Sequence, residues 1–167
     1  MTILGIVQAR MGSTRFPNKV MRPILGVPMI ELLLDRLSQS KLLDGIILAT
    51  SQDVRNQALV DRVQGLGYEV YQGSEDDVLD RYYQAASVYK ADTVVRITGD
   101  CPLVDAEVVD RAIATFQKSN ADYLSNVTPP TYPDGLDVEV FTFKALTRAW
   151  QEARQARERE HVTTYIL

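Results

Sequence analysis

Apolar and polar positions along the chain alternate between two periods. The run Ile3-Leu4-Gly5-Ile6-Val7 is continuously apolar and of strand length, so it predicts a buried strand. In VPMIELLLDRLSQS (27–40), Met29, Leu32, Leu33 and Leu37 recur at helical spacing. GIILATS (45–51) is rich in β formers and follows the turn pair Asp44-Gly45. DVRNQALVDRVQGLG (53–67) reads as a helix that starts at a capping Asp53 and stops at Gly65 and Gly67. YEVYQG (68–73) alternates as a strand does. SEDDVLDRYYQAASVYK (74–90) predicts a helix with Ser74 as its N-cap, acids in its first turn and Lys90 at its end. TVVRIT (93–98) reads as a strand, and VDAEVVDRAIATFQKS (104–119) as a helix beginning near Asp105. Past Ser119 the pattern changes. ADYLSNV (121–127) and LDVEVFT (136–142) read as strands around the loop TPPTYPDG, and FKALTRAWQEARQARERE (143–160) as one charged helix.

Four strand-then-helix units in series predict an α/β chain of three layers, α/β/α, with a mostly parallel sheet. No internal repeat, low-complexity tract or linker interrupts it, so residues 1–167 are expected to form a single domain. Sites in such sheets lie beyond the carboxyl ends of the strands. The segments to inspect are therefore 8–23, 50–53, 72–77, 98–105 and 127–139.

Composition narrows the chemistry. Hydrophobic residues make up 46% and charged residues 24%, as in a globular domain. A formal net charge of -4 argues against general nucleic-acid binding, so any anion site must be local. The first apolar run is too short for a secretory signal or a membrane span, and a soluble cytoplasmic protein is expected. A single cysteine, Cys101, excludes an internal disulfide. The lone His161 cannot build a multi-histidine centre, so a bound metal would need carboxylates.

QARMGSTRFPNKVMRP (8–23) concentrates Arg10, Arg15, Lys19 and Arg22, and no acid precedes Glu31. Gly12, Ser13 and Thr14 add backbone and hydroxyl donors. Guanidinium groups grip phosphate oxygens in pairs, so these are the parts of a polyphosphate cradle. The same residues would also serve as a solvated basic loop. They match neither the P-loop nor the G-x-G-x-x-G dinucleotide pattern. In RITGDCPLVD (96–105), Asp100 follows a strand and reaches the same sheet edge. A carboxylate facing phosphates needs a cation between them, and Mg²⁺ takes that place. Asp105 reads as a helix cap, and Cys101 as a buried spectator thiol.

In YPDGLDVEVF, Asp137 and Glu139 are two apart and would point the same way in a strand. A metal or sugar-hydroxyl role and a solvent-facing edge strand are both open there. Arg81 could reach the site from the first turns of its helix, while Asp76, Asp77 and Asp80 read as helix-start acids.

ILGIVQARMGSTRFPNKV, LGVPMIELLLDRL, ILATS, GSEDDVLDRYYQAA, RITGDCPLVD, GLDVEVF and EREHVTTYI, in this order, resemble the cytidylyltransferases that activate acidic sugars. That group includes CMP-sialic acid and CMP-KDO synthetases, and the likeness is nearest to the spore-coat polysaccharide branch. It spans nearly the whole chain.

The resemblance implies a nucleotide-diphospho-sugar transferase (Rossmann-like) fold and transfer of CMP from CTP to an acidic sugar, with Mg²⁺ required and pyrophosphate released. It implies that Ala9, Arg10, Gly12, Ser13, Arg15 and Lys19 bind the triphosphate, Arg15 and Lys19 acting in catalysis. Asp100 would be catalytic and hold the metal, with Asp137 as a further ligand. Gly73, Ser74 and Arg81 fall near the base, and Asp137 and Glu139 on the sugar side. The expected partners are CTP and a small sugar, with no nucleic acid and no membrane, and a homodimer as the assembly. Relatives run past 200 residues, so a C-terminal part that adds sheet and a dimer arm is expected to lie outside this chain. Alternative readings are a glycosyltransferase of related architecture and a nucleotide-binding domain without turnover.

Overall fold

The computed structural model describes residues 1–12 and 16–167. Its main sheet has the order β5-β4-β1-β6-β8-β7. The strands are β1 (Ile3–Gln8), β4 (Gly45–Ser51), β5 (Glu69–Gly73), β6 (Thr93–Thr98), β7 (Tyr123–Ser125) and β8 (Glu139–Thr142). β1 pairs in parallel with β4 and β6, and β4 with β5, whereas β8 is antiparallel to both β6 and β7.

Central β1 explains its own sequence. Ile3 and Val7 enter one apolar cluster while Leu4 and Ile6 enter the other, so both faces need apolar residues. The first cluster is closed by α1 (Met29–Leu37), α2 (Gln57–Gly65) and α4 (Ala106–Lys118), through residues such as Leu33, Leu59 and Ile113. The second is closed by α3 (Val78–Val88) and α5 (Phe143–Glu152), through Leu79, Tyr82 and Leu146. The short α6 (Ala156–Glu160) follows and packs against α3. Three layers with a mostly parallel sheet are thus what the periodicities predict.

Several boundaries differ, each for a local reason. Asp77, not Ser74, caps α3, because its carboxylate accepts the Asp80 amide at 2.9 Å. Ser74 Oγ accepts the Asp77 amide one turn earlier, at 3.0 Å. The charged segment 143–160 is two helices. Backbone at Ala153 turns extended (ψ 128), and Gln155 and Glu158 form a capping box that starts α6. Residues 23–28 form a hairpin of β2 (Pro23–Ile24) and β3 (Val27–Pro28), whose turn residues Leu25 and Gly26 both have positive φ. The strand expected over 136–142 begins only at Glu139. Before it, Asn126 holds the segment, its amide donating to Val138 O at 3.2 Å and its side chain donating to Leu136 O and accepting from the Val138 amide, both at 2.8 Å. Asp137 therefore precedes the strand, and the alternation argument linking it to Glu139 does not apply.

Candidate active site

The order of the sheet reverses on either side of β1, and the crevice that this opens lies beyond the strands' carboxyl ends. A cavity of about 220 Å³ occupies it. Its walls are Gln8, Ala9 and Arg10 leaving β1, Lys19 and Val20 from the following loop, and Thr98, Gly99 and Asp100 leaving β6.

The two strand ends touch at Gly99. Its amide donates to Gln8 O at 2.7 Å, and a Cβ there would stand 2.6 Å from the Ala9 Cβ. Only glycine lets the β6 turn close on β1, and this closure aims Asp100 at Lys19. Lys19 Nζ lies 3.1 Å from Asp100 Oδ2. Burial raises the Asp100 carboxyl, but hydrogen bonds from Thr98 and Lys19 and the Lys19 charge outweigh it, so the net shift is downward. The carboxylate is thus kept ionised.

Arg10 Nη1 donates to Glu75 Oε1 at 2.7 Å, linking the cavity to the turn after β5. In that turn Gly73 backs onto Arg81, where a Cβ would meet the Arg81 Cγ at 3.0 Å. Arg81 is wholly buried, and its Nη1 donates to Ser74 O at 2.7 Å. Burial holds its guanidinium below the ordinary arginine range. Buried polar atoms normally find partners. Among the described residues, however, Arg81 Nε and Nη2, Glu75 Oε2 and Gln8 Oε1 have none.

Asp137 is pushed up by burial and by the neighbouring Asp134, Glu139 and Asp100. Among the described residues, no group of three or more acidic, histidine or cysteine side chains is placed to hold a metal ion by itself, so a cation beside Asp100 would need further oxygen ligands from a bound phosphate. Both oxygens of Glu139 are engaged inside the protein, one by Arg96 and the other by the Tyr123 hydroxyl at 2.7 Å. Asp105 caps α4 through the amides of Glu107 (2.9 Å) and Val108 (3.1 Å). Cys101 is buried, and burial raises its thiol. Arg22 lies 5.3 Å from the centre of the Phe16 ring.

The structure thus brings Ala9, Arg10, Lys19 and Asp100 to one cavity, with Gly73, Ser74 and Arg81 joined to it through Glu75 and Arg10. Ser13 and Arg15 lie outside the described residues. Gly12 is described, and the Arg55 guanidinium lies 3.5 Å from where its Cβ would stand. Sequence reasoning missed Glu75 and Asn56. Asn56 is buried, accepts the Met11 amide at 2.8 Å and donates to Ser51 Oγ at 2.6 Å, pinning the start of the basic loop. Its only sequence signal is its place three residues after a helix-capping Asp. A larger cavity, about 540 Å³, lies between α4 and the segment after β7, near Arg111 and Tyr132, and holds none of the expected residues.

Fold and site together define a nucleotidyltransferase. More particularly, the chain belongs to the cytidylyltransferase family, whose sequence model matches residues 4–167. It is 46% identical to an uncharacterised protein of Methanocaldococcus jannaschii, over 99% of this chain and 67% of that protein. It is 35% identical to the spore coat polysaccharide biosynthesis protein SpsF of Bacillus subtilis, over 98% of this chain and 69% of that one. It is also 35% identical to 3-deoxy-manno-octulosonate cytidylyltransferase of Geobacter sulfurreducens, over 72% of this chain and 48% of that enzyme. The chain superposes on a cytidylyltransferase from Leptospira borgpetersenii with a TM-score of 0.95 and 33% identity, over 99% of this chain and 71% of that one. It thus spans about two-thirds of the first two relatives and about half of the third.

Proposed function

We propose that this protein transfers CMP from CTP to a hydroxyl of an acidic sugar, in the synthesis of a surface or spore-coat polysaccharide. The observation that supports this most is the meeting of Arg10, Lys19 and Asp100 at one cavity over the switch point of the sheet. Cations there suit a triphosphate, and a carboxylate among them suits its metal. The similarity to a 3-deoxy-manno-octulosonate cytidylyltransferase supports the cytidine nucleotide and the sugar class.

In the reaction a sugar oxygen attacks the α-phosphorus, the bond from that phosphorus to the β-phosphate bridge breaks, and pyrophosphate leaves. The hydroxyl proton passes to solvent. Such a transfer asks the protein for position and charge rather than covalent chemistry. Arg10 and Lys19, with Arg15 in the same loop, neutralise the β- and γ-phosphates as they depart. Ala9 and Gly12, with Ser13, let the loop backbone approach them. Gly73, Ser74 and Arg81 are assigned to the nucleoside end, at the turn that Arg81 holds through the Ser74 carbonyl.

Asp100 would hold Mg²⁺, with Asp137 as the nearby carboxylate, and the ion would neutralise phosphate charge when bound. Asp137 is also assigned to the sugar side of the site. Glu139, bonded to Arg96 and Tyr123, is assigned to the same side. Residues 1–167 act in this reading as one nucleotidyltransferase domain, and a homodimer is the assembly that light scattering would test. No helix among the described residues is long and apolar enough to cross a membrane; the cytoplasm is the proposed place of action because the proposed co-substrate is CTP.

The test is an incubation with CTP, Mg²⁺ and a panel of acidic sugars, followed by pyrophosphate detection. Sugar-dependent release is expected. Consumption of a CMP-sugar in its place would make the protein a glycosyltransferase. Tight CTP binding without turnover on any sugar would reduce it to a binding domain.

A further inference from the structure

The segment EREHVTTYI (158–166) takes no part in the site above, yet Arg159 within it is held unusually firmly. Its Nε and Nη2 donate to Asp77 Oδ2 at 2.9 and 2.5 Å, and its Nη1 donates to Trp150 O at 2.8 Å. Asp77 is not a casual partner. Its other oxygen caps α3 by accepting the Asp80 amide, and its own amide donates to Ser74 Oγ. The turn 74–77 is therefore gripped from three directions. Arg159 takes Asp77 at one end, Arg10 takes Glu75 in the middle, and Arg81 takes the Ser74 carbonyl at the other end. Arg10 and Arg159 also share the walls of a cavity of about 420 Å³ that opens between α6 and this turn.

Arg159 does not line the cavity that holds Lys19 and Asp100. We propose that it is a positioning residue for the nucleotide site. Through Asp77 it fixes the turn, and so fixes both the carboxylate that orients Arg10 and the carbonyl that orients Arg81. Its planar fork, with two N–H groups on one carboxylate oxygen and the third nitrogen on a backbone carbonyl, cannot be copied by the point charge of a lysine. The inference rests on reading Arg10 and Arg81 as nucleotide contacts. It gives the C-terminal helix pair a role in substrate binding that its exposed, charged surface does not suggest.

The experiment is a calorimetric titration of the full chain with CTP and Mg²⁺, for wild type, Arg159→Ala, Arg159→Lys, Asp77→Ala and the Asp77→Ala/Arg159→Ala double variant. Amide hydrogen exchange across 74–77 and thermal melts without nucleotide accompany it. Outer partners that orient a binding side chain are worth roughly 10- to 100-fold when lost. Arg159→Ala should therefore raise the CTP Kd about tenfold and speed exchange in the turn, with Arg159→Lys in between. The double variant should bind no more weakly than Asp77→Ala alone, since both act through one contact. A tether that merely holds α6 would lower the melting temperature with unchanged Kd and unchanged exchange, and that result overturns the inference. If wild type itself binds no CTP, the nucleotide reading falls and this inference falls with it. Equal affinity in wild type and all variants removes the inference alone.

Discussion

Lys19 and Asp100, far apart in sequence, meet with 3.1 Å between Nζ and Oδ2, across the cavity at the carboxyl ends of β1 and β6. Each residue does two things there. With Thr98, Lys19 holds Asp100 ionised, and in the proposed reaction each would carry a charge toward the triphosphate and its cation. Lys19→Ala and Asp100→Asn should each lower kcat/KM by about a hundredfold or more, the scale of losing one preorganised charge contact. The melting temperature should stay near that of wild type, because the pair is substantially exposed. Steady-state pyrophosphate release with circular dichroism melts checks both halves.

The same pair sets a pH dependence. The folded pKa of Asp100 is lowered, so its contribution to stability is present above the ordinary carboxyl value, about 3.9, and is lost as pH falls through the depressed folded value. Urea midpoints of wild type should therefore exceed those of Asp100→Asn near about pH 6 by a small margin only, the pair being exposed, and converge with them toward about pH 2. A gap that widens on acidification would reverse the sign.

Gly99→Ala should both destabilise the protein and disable it. A Cβ would stand 2.7 Å from Gln8 O and 2.6 Å from the Ala9 Cβ, so the ends of β1 and β6 must part. Overpacking of this kind costs about 1–3 kcal/mol. Because Asp100 is the next residue, activity should fall further than the loss of stability explains. Denaturant titration and turnover on the same preparation separate the two effects.

Glu139 and Arg96 face each other across β6 and β8, and only 12% and 15% of their side chains are exposed. Removing the carboxylate leaves a buried cation whose Nε already has no partner among the described residues. Glu139→Leu should therefore cost about 3–5 kcal/mol. Replacing Arg96 by Met in the same chain should return much of it, because the pair and not its charge is what the core requires. A double-mutant cycle by urea denaturation reads the coupling.

Asn56→Ala removes the acceptor for the Met11 amide and the donor to Ser51. Leaving such buried groups unsatisfied costs about 1–3 kcal/mol. The loop after β1 should also lose its anchor. The CTP Kd should rise in calorimetry even where the protein remains folded, and unchanged affinity would show that the loop is set elsewhere.

How much of this the sequence discloses depends on how local each feature is. The strands at 45–51 and 93–98 match their segments residue for residue, because turn residues bound them and their neighbours in the sheet are apolar. Arg10, Lys19 and Asp100 are legible as a group because each follows the end of a strand whose position the pattern predicts. The β2–β3 hairpin is not legible. Two-residue strands carry no period, and its turn places Leu25 where Asn or Gly would signal positive φ. The break at Ala153 has no Gly or Pro to announce it, only the weak pairing of Gln155 with Glu158.

Long-range polar partners are the hardest to foresee. Arg81 reads as a helix residue able to reach the site, but nothing in its window shows that it is wholly buried, with Gly73 making room for its stem. Glu139 looks like half of an acidic pair with Asp137, but its cross-strand neighbour is Arg96. Pairings such as Arg159 with Asp77 and Arg10 with Glu75 link segments that no window of sequence contains together.

The measurement closest to the central claim is a thermal-shift and calorimetric comparison of CTP, UTP, ATP and GTP, each with Mg²⁺. Ligand at a hundredfold excess over its Kd stabilises by about 2.7 kcal/mol, which for a chain of this size is several degrees, at roughly 2–4 °C per kcal/mol. The account predicts that CTP gives the largest shift and the tightest binding, and that Lys19→Ala abolishes both. No shift with any of the four, or a purine nucleotide bound more tightly than CTP, would contradict it.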